Sequence, residues 1–202
     1  IRSRHAQAPV RPLEIELKSR FGLADVQVDA TQETTGQTLA LVAQTAADYL
    51  ADIRPRPTAV ALAWGRTTSA VARAAAPRWS PGTRVVQANA APGGVDELLG
   101  SGATRLLARK APGTVSLFDE VLENSLRGAS PDISPAARRV VDEAESADVV
   151  IFSPGSIPSS SIIGKSGCLS HVELKELWER GERANVLVRL VDAEAQPVSD
   201  RL

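Results

Sequence analysis

The chain of 202 residues carries 23 Lys and Arg against 24 Asp and Glu, a net charge of -1, which gives no sign of a basic nucleic-acid surface. Its 43% hydrophobic and 23% charged residues are those of a globular protein able to bury a core, and no apolar run approaches the ~18 residues of a membrane span. A lone Cys168 and only His5 and His171 argue against a disulfide framework, a Cys- or His-based metal site and a Ser-His-Asp triad, so the expectation is a reducing cytoplasm with no metal, cofactor or membrane.

The first twelve residues, IRSRHAQAPVRP, hold Arg2, Arg4, Arg11 and two prolines with no acid. They read as a linker before a domain spanning 13–202. LEIELKSRFGL then sets Leu13, Leu17 and Phe21 on one helical stripe, closed by Gly22. ADVQVDA alternates and predicts a first strand. TTGQTLALVAQTAADYLADI has Leu39, Val42, Ala43, Ala46 and Leu50 at helical spacing. TAVALAW is a continuous apolar strand, the kind a parallel sheet buries on both faces. A helix follows from Arg66 and stops before Pro77.

The alternation continues through TRVVQAN (strand), GVDELLGSGATRLLARKA (helix), TVSLF (strand), ISPAARRVVDEAESA (helix) and DVVIFS (strand). Ser134 and Pro135 supply an N-cap and a first helical residue. LSHVELKELWERG carries a full start signal: Ser170 and Glu173 as a capping box, Leu169 and Leu174 as a staple, Gly181 as the stop. NVLVRLVD predicts one last strand. Strand and helix in turn imply an α/β domain with a mainly parallel sheet and right-handed crossovers. Two long loops, DEVLENSLRGASPD and SPGSIPSSSIIGKSG, are either binding loops or plain surface connections.

In such a sheet, ligands sit at the carboxyl ends of the strands. The segment WGRTTS delivers Gly65, Arg66, Thr67, Thr68 and Ser69 to that edge. Glycine permits a tight turn, free amides open the next helix with partial positive charge, Arg66 offers a planar charged fork, and the three hydroxyls are donors. An anion site and an ordinary helix start with an exposed arginine both fit. There is no Walker loop. QANAAPGG brings Gln87 and Asn89, amides suited to sugar hydroxyls or to turn chemistry. FDEVLEN brings Asp119 and Glu120, either a hydroxyl acceptor or proton-transfer base, or solvated loop acids. Trp64 fits a floor under a sugar ring or a place in the core. His171, in a first helical turn, reads as exposed and non-catalytic, and Cys168 as a small hydrophobe.

The ordered series LEIELKSRFGL, VALAWGRTTSAVA, VVQANAAPGG, ADVVIFSPGSI and GCLSHVELKELWERGERANVLVRLVDAEAQPV resembles the sugar-binding domain of SorC-family (DeoR-like) transcriptional regulators from about Leu13 onward. The resemblance implies a doubly wound, Rossmann-like fold similar to sugar-phosphate isomerases and deaminases. It implies a non-enzymatic effector domain that binds a phosphorylated sugar or related metabolite and forms homo-oligomers. DNA would be held by an N-terminal helix-turn-helix domain, not by these residues, and the basic leader would be what remains of the interdomain linker. By position, Gly65, Arg66, Thr67 and Thr68 match the family's phosphate-contacting turn, and Gln87 lies in a pocket-lining segment. The family's usual Gly-Ile-Gly after a later strand is SPGS here, at Ser153 to Ser156. A further strand-helix unit expected after VDAEAQPV implies a domain incomplete at its C-terminus. An isomerase- or deaminase-like enzyme with Asp119 or Glu120 as base is the alternative.

Overall fold

A computed structural model describes residues 11–91, 100–118, 134–157, 169–187 and 189–197. Helix α1 (Arg11–Phe21) opens the described chain and begins two residues before the expected domain start. Gly22, at φ +63°, ends it. ADVQVDA bends at Ala24 and then has no regular secondary structure, so the strand expected there is absent. Asp29 instead accepts from Thr45 Oγ1 at 2.9 Å, which ties this stretch to the following helix, α2 (Thr35–Asp52). Thr34 and Gln37 start α2 with a reciprocal capping box.

Strands β1 (Ala59–Leu62), β2 (Arg84–Gln87), β3 (Val115–Ser116) and β4 (Val149–Ile151) form a wholly parallel sheet in the order β3-β2-β1-β4. Helices α3 (Arg66–Ala74), α4 (Ser101–Lys110) and α5 (Pro135–Glu145) connect them. The strand period of two explains the layers. Val60 and Leu62 face α2, α3 and α4, packing with Ala43, Leu50, Val71 and Leu107. Ala61 faces the other way, with Val86 against Val140 and Ala144 of α5. Helices therefore cover both sheet faces, and β1 is fully buried, as its unbroken apolar run predicts. Ser134 caps α5 by accepting from Ala137 N–H at 3.1 Å.

Beyond β4 lies a second sheet that the sequence reading lacks. Strands β5 (Gly155–Ser156), β6 (Ala184–Val186) and β7 (Arg189–Val191) pair antiparallel in that order. NVLVRLVD is thus a hairpin, not one strand: Leu187 turns at φ +50°, and Val186 pairs back to Arg189. Helix α6 (His171–Glu179) packs here, with Leu169, Leu174 and Leu177 clustered on Ile157 and Leu190. Its capping box is formed as expected, and Gly181 lies at φ +100°. Arg183 stacks on Trp178 at 4.3 Å and donates to its carbonyl.

Candidate functional site at the carboxyl edge of the sheet

The connections run outward from β1 to β2 to β3, and the chain then returns to place β4 on the free side of β1. The reversal lies between β1 and β4, and the crevice outside such a reversal is where α/β sheets take ligands. Leu62 is level with Ile151 and Gln87 on its two neighbours. The residues that follow these three positions make the site.

Gly65 takes φ +146° and ψ 170°, a backbone region open essentially to glycine alone. This turn lets β1 run directly into α3. No side chain caps the helix start, and no acid lies in its first turn. The carbonyl of Gly65 receives Ser69 N–H at 3.0 Å and the Thr68 hydroxyl at 3.1 Å. The amides of Arg66, Thr67 and Thr68 meet no acceptor among the described residues. Such a start carries partial positive charge and free donors. Arg66 is exposed and pairs with no acid among the described residues, and Thr67 is half-buried.

The other expected residues divide. Thr68 and Ser69 are buried, each 1% exposed, and both are bonded within the protein. Gln87 is 2% exposed; its Nε2 donates to Asn89 O at 3.1 Å, and its Oε1 accepts from Phe118 N–H at 3.2 Å. Asn89 Oδ1 accepts from Trp64 N–H at 3.3 Å. Gln87 and Asn89 therefore brace the ends of β1, β2 and β3 against one another. Asp119, Glu120 and Cys168 lie outside the described residues. His171 is exposed at the start of α6.

Two further donors lie nearby, one on Trp64, a candidate from its place at the strand end, and one on Asn185, which spacing does not reveal. Trp64 is half-buried against Ile157, Leu169, Leu174, Leu177 and Leu190, and its buried Nε1 has no partner among the described residues. Asn185 is 7% exposed with Nδ2 likewise unpartnered, and it lies on β6 opposite Gly155, four residues past the end of β4. Asn185 does not mark a site in the sequence; only the pairing of β5 with β6 puts it beside the turn after β4. Nearby Glu182 is fully buried, and both carboxylate oxygens lack a partner among the described residues. Burial raises its carboxyl above the ordinary range, while Arg180 acts weakly the other way.

The family model described as "Putative sugar-binding domain" matches residues 8–202. No curated protein matches the chain in sequence. Among solved structures, a DeoR family transcriptional regulator from Listeria monocytogenes superposes with a TM-score of 0.79 at 18% identity, covering 94% of this chain and 76% of that one. A transcriptional regulator from Streptococcus pneumoniae gives 0.79 at 15% identity, over 96% and 76%. The full-length sorbitol operon regulator SorC from Klebsiella pneumoniae gives 0.78 at 17% identity, over 100% and 67%. At these identities the likeness is one of fold.

Proposed function

The chain belongs to the sugar-binding domain family, and from that premise we propose that it is the effector domain of a transcriptional regulator. Its ligand is a phosphorylated sugar or a related metabolite. The observation that carries this reading is the uncapped start of α3, beside exposed Arg66 at the sheet's point of reversal. Oxygens of a phosphate accept from the amides of Arg66 to Thr68, and the guanidinium supplies the balancing charge. Polar groups near the end of β4, Asn185 and Trp64 Nε1 among them, suit the hydroxyls of the sugar body. The solved neighbours are themselves transcriptional regulators, which supports the same assignment.

In this reading DNA is held by a separate helix-turn-helix domain, and the sensing unit works in the cytoplasm as a homo-oligomer. A ligand signals only by binding one subunit arrangement more tightly than another. The domain performs no turnover. An isomerase or deaminase needs an acid and a base set against the reacting carbons.

A thermal-shift panel of sugar phosphates against the matching free sugars tests the proposal. The expected result is stabilisation by a phosphorylated member alone, with no product by NMR. Stabilisation by no phosphate-bearing metabolite, or steady conversion of a ketose phosphate, overturns it. Arg66→Ala removes a charged hydrogen bond, so the phosphate ligand should bind ~1.5–3 kcal/mol less tightly, roughly 10- to 100-fold. Unchanged affinity in that variant removes Arg66 from the site.

A further inference from the structure

Strand β3 ends the parallel sheet, and among the described residues nothing pairs with its outer edge. Val85 on β2 stands level with Val115, and its N–H donates to Thr114 O at 2.9 Å. In a parallel ladder a residue bonds to the two neighbours of the residue it faces, here Thr114 and Ser116. The amide and carbonyl of Val115 therefore point away from β2, and neither meets a described partner. The Val115 side chain lies on the same sheet face as that of Val85, the face covered by α4, and it is 41% exposed.

A cavity of about 300 Å³ lies between this strand and α4, lined by Arg105, Ala108, Arg109, Pro112, Gly113 and Val115. Its floor is fixed: Ala111 O and Pro112 O share Gly82 N–H at 3.0 and 3.2 Å, and a Cβ at Gly113 would collide with the Thr83 carbonyl. Helix α4 carries Arg105, Arg109 and Lys110 and no acid. Lys110 is engaged, donating to the carbonyls of Arg73 and Ala75 at the end of α3. Arg105 and Arg109 are exposed and have no ion pair or hydrogen bond to a described residue. The acid beside β3, Glu143, is on the other face of the sheet, where it accepts from Ser116 Oγ and lies 3.9 Å from Arg84 Nε.

Two unpaired arginines thus flank an open strand edge. They stand four residues apart on one helix face, about 6 Å along the axis. Side chains on one face of an extended strand repeat every ~6.6 Å, nearly the same spacing. We propose that the edge of β3 takes an extended acidic segment of a partner protein and adds it to the sheet as a further strand. The segment's backbone pairs with the amide and carbonyl of Val115. Acids at alternate positions, on the face towards α4, meet Arg105 and Arg109, and the exposed side of Val115 gains apolar cover. The seat lies at the amino-terminal end of β3, away from the carboxyl edge proposed for the metabolite, and it does not depend on that reading.

The probe is a capped, fluorescein-labelled octapeptide alternating glutamate with threonine, titrated against the full chain by anisotropy at low salt. It should bind, and a peptide of the same composition with its glutamates in one block should bind about tenfold more weakly. N-methylation of the peptide amides should abolish binding, because a ladder needs them and charge attraction does not. R105E/R109E should weaken the alternating peptide at least about tenfold, two pairs being replaced by two repulsions. Val115→Pro removes the outward amide without touching a bond to β2, a place where an edge strand accepts proline, and should weaken it similarly. Circular dichroism confirms that each variant is folded. No binding at millimolar peptide overturns the proposal. Binding that is indifferent to glutamate order, to N-methylation or to R105E/R109E is general charge attraction and overturns it as well.

Discussion

Replacing Gly65 with alanine adds a Cβ that meets only Thr68 Oγ1, at 3.5 Å, an ordinary contact. The cost therefore lies in the backbone, at φ +146°, and should be ~1–3 kcal/mol. Denaturant midpoints should fall for Gly65→Ala while Arg66→Ala, an exposed position, leaves them nearly unchanged. An unaltered midpoint for the glycine variant would mean the turn relaxes freely. Glu182 permits a second test with a defined sign. Its folded-state carboxyl is raised by burial, so the native state holds its proton to higher pH than the unfolded chain. Stability from this group is present below the unfolded value and lost as pH rises through the folded one. Glu182→Gln should thus stabilise the protein at neutral pH, with the gain fading in acid. An equal gain at both pH values would exclude ionisation as its cause. At this scale the place of Gly65 and Arg66 at the turn into α3 was legible, because a strand, a glycine and a helix start dictate backbone geometry. The inward turn of Thr68 and Ser69, and the bracing by Gln87 and Asn89, depend on neighbours that spacing does not reveal.

Elements were legible where local chemistry is complete. Helix α6 has its cap, staple and stop within a dozen residues, and each takes the expected place. Ser170 accepts from Glu173 N–H at 3.2 Å while Glu173 accepts from Ser170 N–H at 2.8 Å. Ser170→Ala should cost ~1 kcal/mol, read as a lower thermal midpoint, with His171→Ala on the exposed first turn as the neutral control. Elements that need a distant partner were not legible. Residues 24–30 alternate like a strand, yet no neighbour offers them a ladder, and their polar groups bond to α1 and α2 instead. The β6–β7 hairpin hides for another reason. Its turn at Leu187 has positive φ in a residue that carries none of the Asn-Gly chemistry by which such turns are recognised.

For the molecule as a whole, alternation of strand and helix fixes the class, but strand order emerges only from the three-dimensional pairing. The decisive joint is β1 with β4, since their junction makes the point of reversal and hence the crevice proposed as the site. At the opposite, amino-terminal edge of the sheet this joint is held by Asp148. Its carboxylate accepts from Thr58 N–H and Thr58 Oγ1, each at 2.7 Å, and from Ala59 N–H at 3.0 Å, joining segments 90 residues apart. The Thr58 hydroxyl, then the Ala59 and Thr58 amides, hold its carboxyl below the usual range against a small opposing desolvation. The native state therefore releases this proton more readily than the unfolded chain. The stabilisation is complete above the unfolded value and is lost as pH falls through the lowered folded one. Asp148→Asn removes the titration while keeping a side-chain oxygen acceptor. The variant should be less stable than the parent at neutral pH, and the difference should shrink progressively in acid. Because the latch sits across the sheet from α3, its loss should lower the unfolding midpoint yet leave ligand affinity of the folded fraction unchanged. Urea titrations from neutral to acid pH, paired with calorimetric binding at neutral pH, read both quantities. A stability gap constant across that range would show that Asp148 acts by packing alone, and a matching loss of affinity would show that the β1–β4 joint transmits strain to the site.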